Sequence, residues 1–112
     1  MNIELMQQVI NQIEAHPKEW DQGTWGRKSA CGTTMCFAGW AAHLSGFKLV
    51  WAQRVTDPFA DALAVEADGN RRDIFDAARD LLGLNEAQAK ELFFSSEHDT
   101  LPIARNMIKE AQ

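Results

Sequence analysis

The residues best equipped for chemistry lie in one run, Cys31-Gly32-Thr33-Thr34-Met35-Cys36-Phe37-Ala38-Gly39-Trp40. Thr33 or Thr34 predicts the start of a helix, because either hydroxyl can accept from the free N–H groups of a first turn. A thiol at such a start feels the positive end of the macrodipole, which favours the thiolate. Cys31, just before the predicted helix, and Cys36, in its first turn, are therefore candidate nucleophiles. His98, followed by Asp99 as an orienting carboxylate, is the candidate general base.

Two other readings compete with that one. The ligand types of Cys31-x4-Cys36-x6-His43, with His16 or His98 as a fourth, would suit zinc. On a straight helix, however, Cys36 and His43 would lie ~10.5 Å apart along the axis. Bonds of ~2.0–2.3 Å to a single ion cannot span that. No metal and no other cofactor is therefore expected. The string is also similar to the Cys-Gly-Ser-Cys-Trp-type segment of papain-like proteases, but its spacing differs by two residues and 112 residues are too few for that fold. The preferred reading is structural: both cysteines fill apolar space, a threonine caps the helix, Gly39 permits a close crossing, and His43 is satisfied or semi-exposed. Catalytic residues are then none, with Cys31, Cys36 and His98 kept as an alternative, a small Cys-dependent hydrolase or thiol redox protein.

The elements that would position these groups are read from periodicity. Ile3, Met6, Ile10 and Ile13 predict an amphipathic first helix, capped by Asn2 and stopped near Ala15 by Pro17. Residues 17–32 read as a packed, irregular connection holding Trp20 and Trp25. The helix from Thr33 or Thr34 to Leu44 is apolar nearly all round, so the others are expected to surround it. Alternation of Phe47, Leu49 and Trp51, and of Leu63, Val65 and Ala67 before Asp68-Gly69-Asn70, predicts a small hairpin within residues 47–74. Asp73 opens a helix ended by Gly83, Asn85-Glu86-Ala87-Gln88 is a capping box for another, and a last helix begins near Thr100-Leu101-Pro102. The expected fold is one compact domain, mainly α (α+β), of four to five helices around a central apolar helix with a small β-hairpin in the middle.

Composition narrows the function. With 46% hydrophobic and 24% charged residues the chain is an ordinary globular one, and two cysteines make no disulfide framework. The net charge of −5 argues against general binding to nucleic acid or anionic lipid. A helix pair over Asp73–Phe93 has a helix-turn-helix outline, but Glu86, Gln88, Lys90 and Glu91 give its second helix no net basic charge. The start of the chain has no basic region before an apolar core, and the uncharged stretch Ser29–Phe47 is too polar for a bilayer, so a cytosolic protein is expected. Charge is uneven: residues 1–56 carry five basic and four acidic side chains, residues 57–112 six and twelve. The run from Asp57 to Asp68 holds four acids and no base, as a solvated face or an acidic docking surface would.

Trp20-Asp21-Gln22-Gly23-Thr24-Trp25-Gly26, the Cys31-Gly32-Thr33…Cys36-Phe37-Ala38-Gly39-Trp40 core, Leu81-Leu82-Gly83-Leu84 and Leu92-Phe93 together resemble a group of small actinobacterial and actinobacteriophage proteins. That resemblance spans roughly residues 18–94 and implies a bacterial or infected-cell cytosol, without implying an activity. The expected function is a non-enzymatic interaction module, phage-encoded or accessory, acting on a cellular or host protein. Trp25, Trp51, Phe59, Asp57 and Asp61 are its candidate contact residues, because tryptophan is enriched at binding hot spots.

Overall fold

The computed structural model describes residues 1–29, 32–53 and 59–112. Helix α1 (Ile3–Ala15) forms where its apolar stripe predicts, burying Leu5, Met6, Val9, Ile10 and Ile13, with the Asn2 side chain accepting from the Leu5 N–H. The Asn2 N–H donates to the Leu82 carbonyl at 2.7 Å, which ties the start of α1 to the end of α3 (Ile74–Leu82). Helix α4 (Glu86–Phe93) carries the complete Asn85/Gln88 capping box expected from sequence.

The last helix, α5 (Glu97–Ala111), starts about a turn before the predicted Thr100. Pro102 therefore lies inside it rather than in its first turn. Upstream hydrogen bonds account for the earlier start. The Thr100 N–H and hydroxyl both donate to the Ser96 carbonyl, at 3.0 and 2.8 Å, and the Ser95 and Thr100 hydroxyls meet at 2.8 Å.

The β structure is larger than expected. Strands β1 (Gly26–Ser29), β2 (Gly32–Met35), β3 (Lys48–Gln53), β4 (Phe59–Ala67) and β5 (Asn70–Arg72) form one antiparallel sheet in the order β2-β1-β4-β3, with β5 also on β4. The architecture is therefore α+β, not mainly α, and the hairpin expected within residues 47–74 is the middle of a five-stranded sheet. Strands β1 and β2 fall where an irregular connection and a helix start were expected. Thr33 and Thr34 pair with Lys28 and Arg27 in the ladder instead of capping a helix. These strands read GRKS and GTTM, with almost no apolar alternation, and long-range pairing of β1 with β4 decides their state.

Helix α2 (Phe37–Leu44) consequently begins later and is capped by Cys36. It is also not the surrounded central helix expected: its last turn, His43 and Leu44, faces solvent, and α1, α3 and α4 supply buried surface beside it. Helices α2 and α3 pack on the sheet's inner face, and α1 packs behind them with α5.

Between Val50 and Trp51 the pairing of β3 steps from Ala64 to Ala62, leaving Leu63 as an extra residue, 64% exposed. Such a bulge reverses the alternation along β4. It lets Ala60, Ala62 and Val65 all face the helices despite their odd spacing. No helix among the described residues is long and apolar enough to cross a membrane.

Candidate functional site

Cys36 does not sit as a reactive thiol would. Its sulfur accepts from the Gly39 N–H at 3.4 Å and approaches the Trp25 carbonyl at 3.8 Å, and the side chain is buried. Burial pushes its pKa up to about 11, outweighing the backbone N–H groups at the helix start that pull it down. The expectation that the helix terminus would favour a thiolate is therefore corrected for Cys36: loss of hydration wins. His98 is exposed in the first turn of α5 and does not line the small cavity beside Cys36, which is formed by Gln22, Trp25, Phe93 and their neighbours. His43 lies edge-on to Trp40, with ring centroids 5.5 Å apart. Cys31 lies outside the described residues.

The region around Cys36 is held by a buried hydrogen-bond network, with an aromatic group at its edge in which Phe94 is 64% exposed. Gln22, a polar side chain that sequence reasoning passed over, is buried at its centre. Its Oε1 accepts from Trp20 Nε1 and from the Phe37 N–H, each at 2.9 Å, and its Nε2 donates to the Phe93 carbonyl at 2.9 Å. Gly39 lets this region close up, since a Cβ there would lie 2.4 Å from the Trp25 carbonyl oxygen. Trp25 belongs here, edge-on to Phe75 and Phe94 at 6.5 and 6.0 Å, while Phe75 and Phe94 stack at 5.6 Å.

A different place is open. Helix α2, eight residues long, ends beside the sheet in the exposed His43 and Leu44. Beside it lies a cleft of about 710 Å³, within the ~300–1,000 Å³ typical of ligand clefts. Met35, Leu49 and Trp51 form its floor, Trp40 and His43 from α2 and Phe47 from the following loop form one wall, and Lys28, Thr33, Lys48 and Glu19 stand around it. Phe47, Leu49 and Trp51 are only half-buried.

Small neighbours allow the floor to lie flat. A Cβ at Gly26 would come within 2.9 Å of Leu49 and 3.1 Å of Ala62, and the far edge of the Trp51 ring lies 3.5 Å away. The Trp51 indole thus reaches across β4 toward β1, where Lys28 Nζ stands 5.1 Å from its centroid. Trp40 is fixed by its Nε1, which donates to the Glu19 carbonyl at 3.1 Å.

Among the described residues of the predicted contact set, only Trp51 lies in this cleft. Trp25 is in the region around Cys36, and Asp61 pairs with Arg27 at 2.8 Å, a residue out of alternation with cleft-lining Lys28. Asp57 and the Phe59 side chain lie outside the described residues. Glu66 meets Arg71 at 3.6 Å, so two acids of the Asp57–Asp68 run have basic neighbours. Sequence reasoning missed Lys28 and Lys48 because nothing local shows that two residues twenty apart line one cleft. Comparison with protein-family models, curated proteins and solved structures returns no match to this chain.

Proposed function

We propose that the chain is a non-enzymatic interaction module, acting in the cytosol on a cellular protein (a host protein if the chain is phage-encoded), and that the cleft is its contact surface. One observation carries the reading: the half-buried apolar side chains of Leu49 and Trp51 on the floor and Phe47 on the wall line a cleft that stays open. Apolar surface left open beside polar residues marks interaction sites, and tryptophan commonly carries much of the binding energy. The thiol alternative has less support, because Cys36 serves as a buried helix cap with a raised pKa.

The test is photo-crosslinking in bacterial cells with a photoreactive residue at position 47, and at exposed position 63 as control. A discrete protein adduct from position 47, absent from position 63 and lost on Trp51→Ala, is the expected outcome. No adduct from position 47, or the same adducts from both positions, overturns the reading.

A further inference from the structure

Resting on that reading, we infer that the cleft takes an acidic peptide segment in extended conformation, added as a strand along the open edge of β3. Charge is the first ground. The chain as a whole carries −5, yet the cleft is lined by two lysines and a histidine against one glutamate. Among the described residues neither Lys28 nor Lys48 is in an ion pair, whereas Arg27, Arg71, Arg72, Arg79 and Arg105 all have carboxylate partners. Both lysines of the cleft thus stand outside any ion pair among the described residues, and one of them, Lys28, stands over the Trp51 indole.

The sheet edge is the second ground. Strand β3 pairs with β4 through Lys48–Gln53 and ends the strand order, so among the described residues its outer backbone groups have no partner strand. Open edges are templates for strand addition, in which main-chain hydrogen bonds supply affinity and alternate side chains enter neighbouring pockets. Lys48, Leu49 and Trp51 belong both to that edge strand and to the cleft. A peptide strand laid beside β3 would place every second side chain over Phe47, Leu49 and Trp51. Carboxylates alternating with those side chains would meet Lys48, and one on the cleft face would meet Lys28 beside the indole.

Single-stranded nucleic acid also favours aromatic rings beside cations, but it needs a basic track along its backbone. Two lysines on an acidic chain supply no such track. The cavity beside Trp25 is smaller, about 170 Å³, and its polar side chain, Gln22, is already fully engaged.

The experiment is selection of short random peptides displayed against the intact chain, with an oligothymidine in parallel. The selected pool should be enriched in Asp and Glu alternating with large apolar residues, and the Lys28→Glu/Lys48→Glu double variant should weaken the best peptide by about tenfold or more. N-methylation of alternate amides in that peptide should abolish binding in one of the two alternating sets and leave it in the other, as edge pairing requires. A pool of basic or neutral sequences, no enrichment at all, N-methylation without effect in either set, or tighter binding of the oligothymidine overturns the inference. If position 47 still crosslinks to a protein in cells, the cleft remains an interaction surface and only its acidic-strand specificity is lost. If that crosslink is also absent, both readings fall.

Discussion

Two aromatic clusters, less than thirty residues apart in sequence at Trp25 and Trp51, have opposite fates. Trp25 joins Phe75, Phe93 and Phe94 in edge-on and stacked pairs beside a buried, fully hydrogen-bonded Gln22. Trp51, with Trp40 and Phe47, faces a lysine and open space. Both are tryptophans, so residue type does not separate them. What separates them is the partners each meets, since both rings are half-buried. Trp25 is edge-on to Phe75 and Phe94, and its carbonyl lies 3.8 Å from the Cys36 sulfur, whereas Trp51 meets Lys28 beside an open cleft. Aromatic content therefore locates a binding surface only after one knows which rings the fold has already used.

The comparison makes unequal demands on stability. Gln22→Ala should be the most damaging change, at about 3 kcal/mol, because it strands the Trp20 indole N–H, the Phe37 N–H and the Phe93 carbonyl in a buried site. Urea unfolding monitored by tryptophan fluorescence measures it, and a loss under about 1 kcal/mol would mean that this region is not held by its buried amide.

Alkaline pH probes the same region through Cys36. A free thiol ionises near 8.5 and this one near 11, so between those values the unfolded chain releases a proton that the folded chain keeps. Stability should then fall as pH rises through that window, by roughly 3 kcal/mol, and level off above it. Cys36→Ala should flatten that part of the profile; an identical profile in the variant would show that the thiol is not held protonated by the fold.

The smallest effects belong to the open cluster. Trp51→Ala should cost about 1 kcal/mol of stability, since its ring is half-exposed. Lys28→Ala should cost about 0.5 kcal/mol, the scale of an exposed cation–π contact. Thermal melts of both would sharpen the contrast. A Trp51→Ala loss as large as that of Gln22→Ala would erase it, making Trp51 a structural residue.

Much of the helical framework was legible because its signals are local. The α1 stripe, the Asn2 cap, the Asn85/Gln88 box and the Gly83 stop are each read within one or two turns, and each stands where expected. The start of α2 was misplaced for a related reason: Thr33 and Thr34 are good caps, but they are also good strand residues, and β1 claimed them. A threonine's choice between cap and ladder depends on whether a partner strand arrives, and that strand is itself fixed by β4 more than thirty residues further on.

The candidate site was less legible. Trp51 was visible as a tryptophan in an alternating run, but its companions come from α2, the loop after it, β1, β2 and the turn at Glu19. The sequence by itself determined α1, α3 and α4 with the Asn2 cap, the Gly83 stop and the Asn85/Gln88 box, the acidic balance and the supply of large apolar side chains, because these follow from neighbours along the chain. Only the tertiary structure decided that Cys36 would be desolvated and protonated, that Gln22 would bind three groups at once, and that Lys28 and Lys48 would line one cleft. Burial and charge proximity depend on where distant segments meet, and that is fixed only when the sheet closes against the helices.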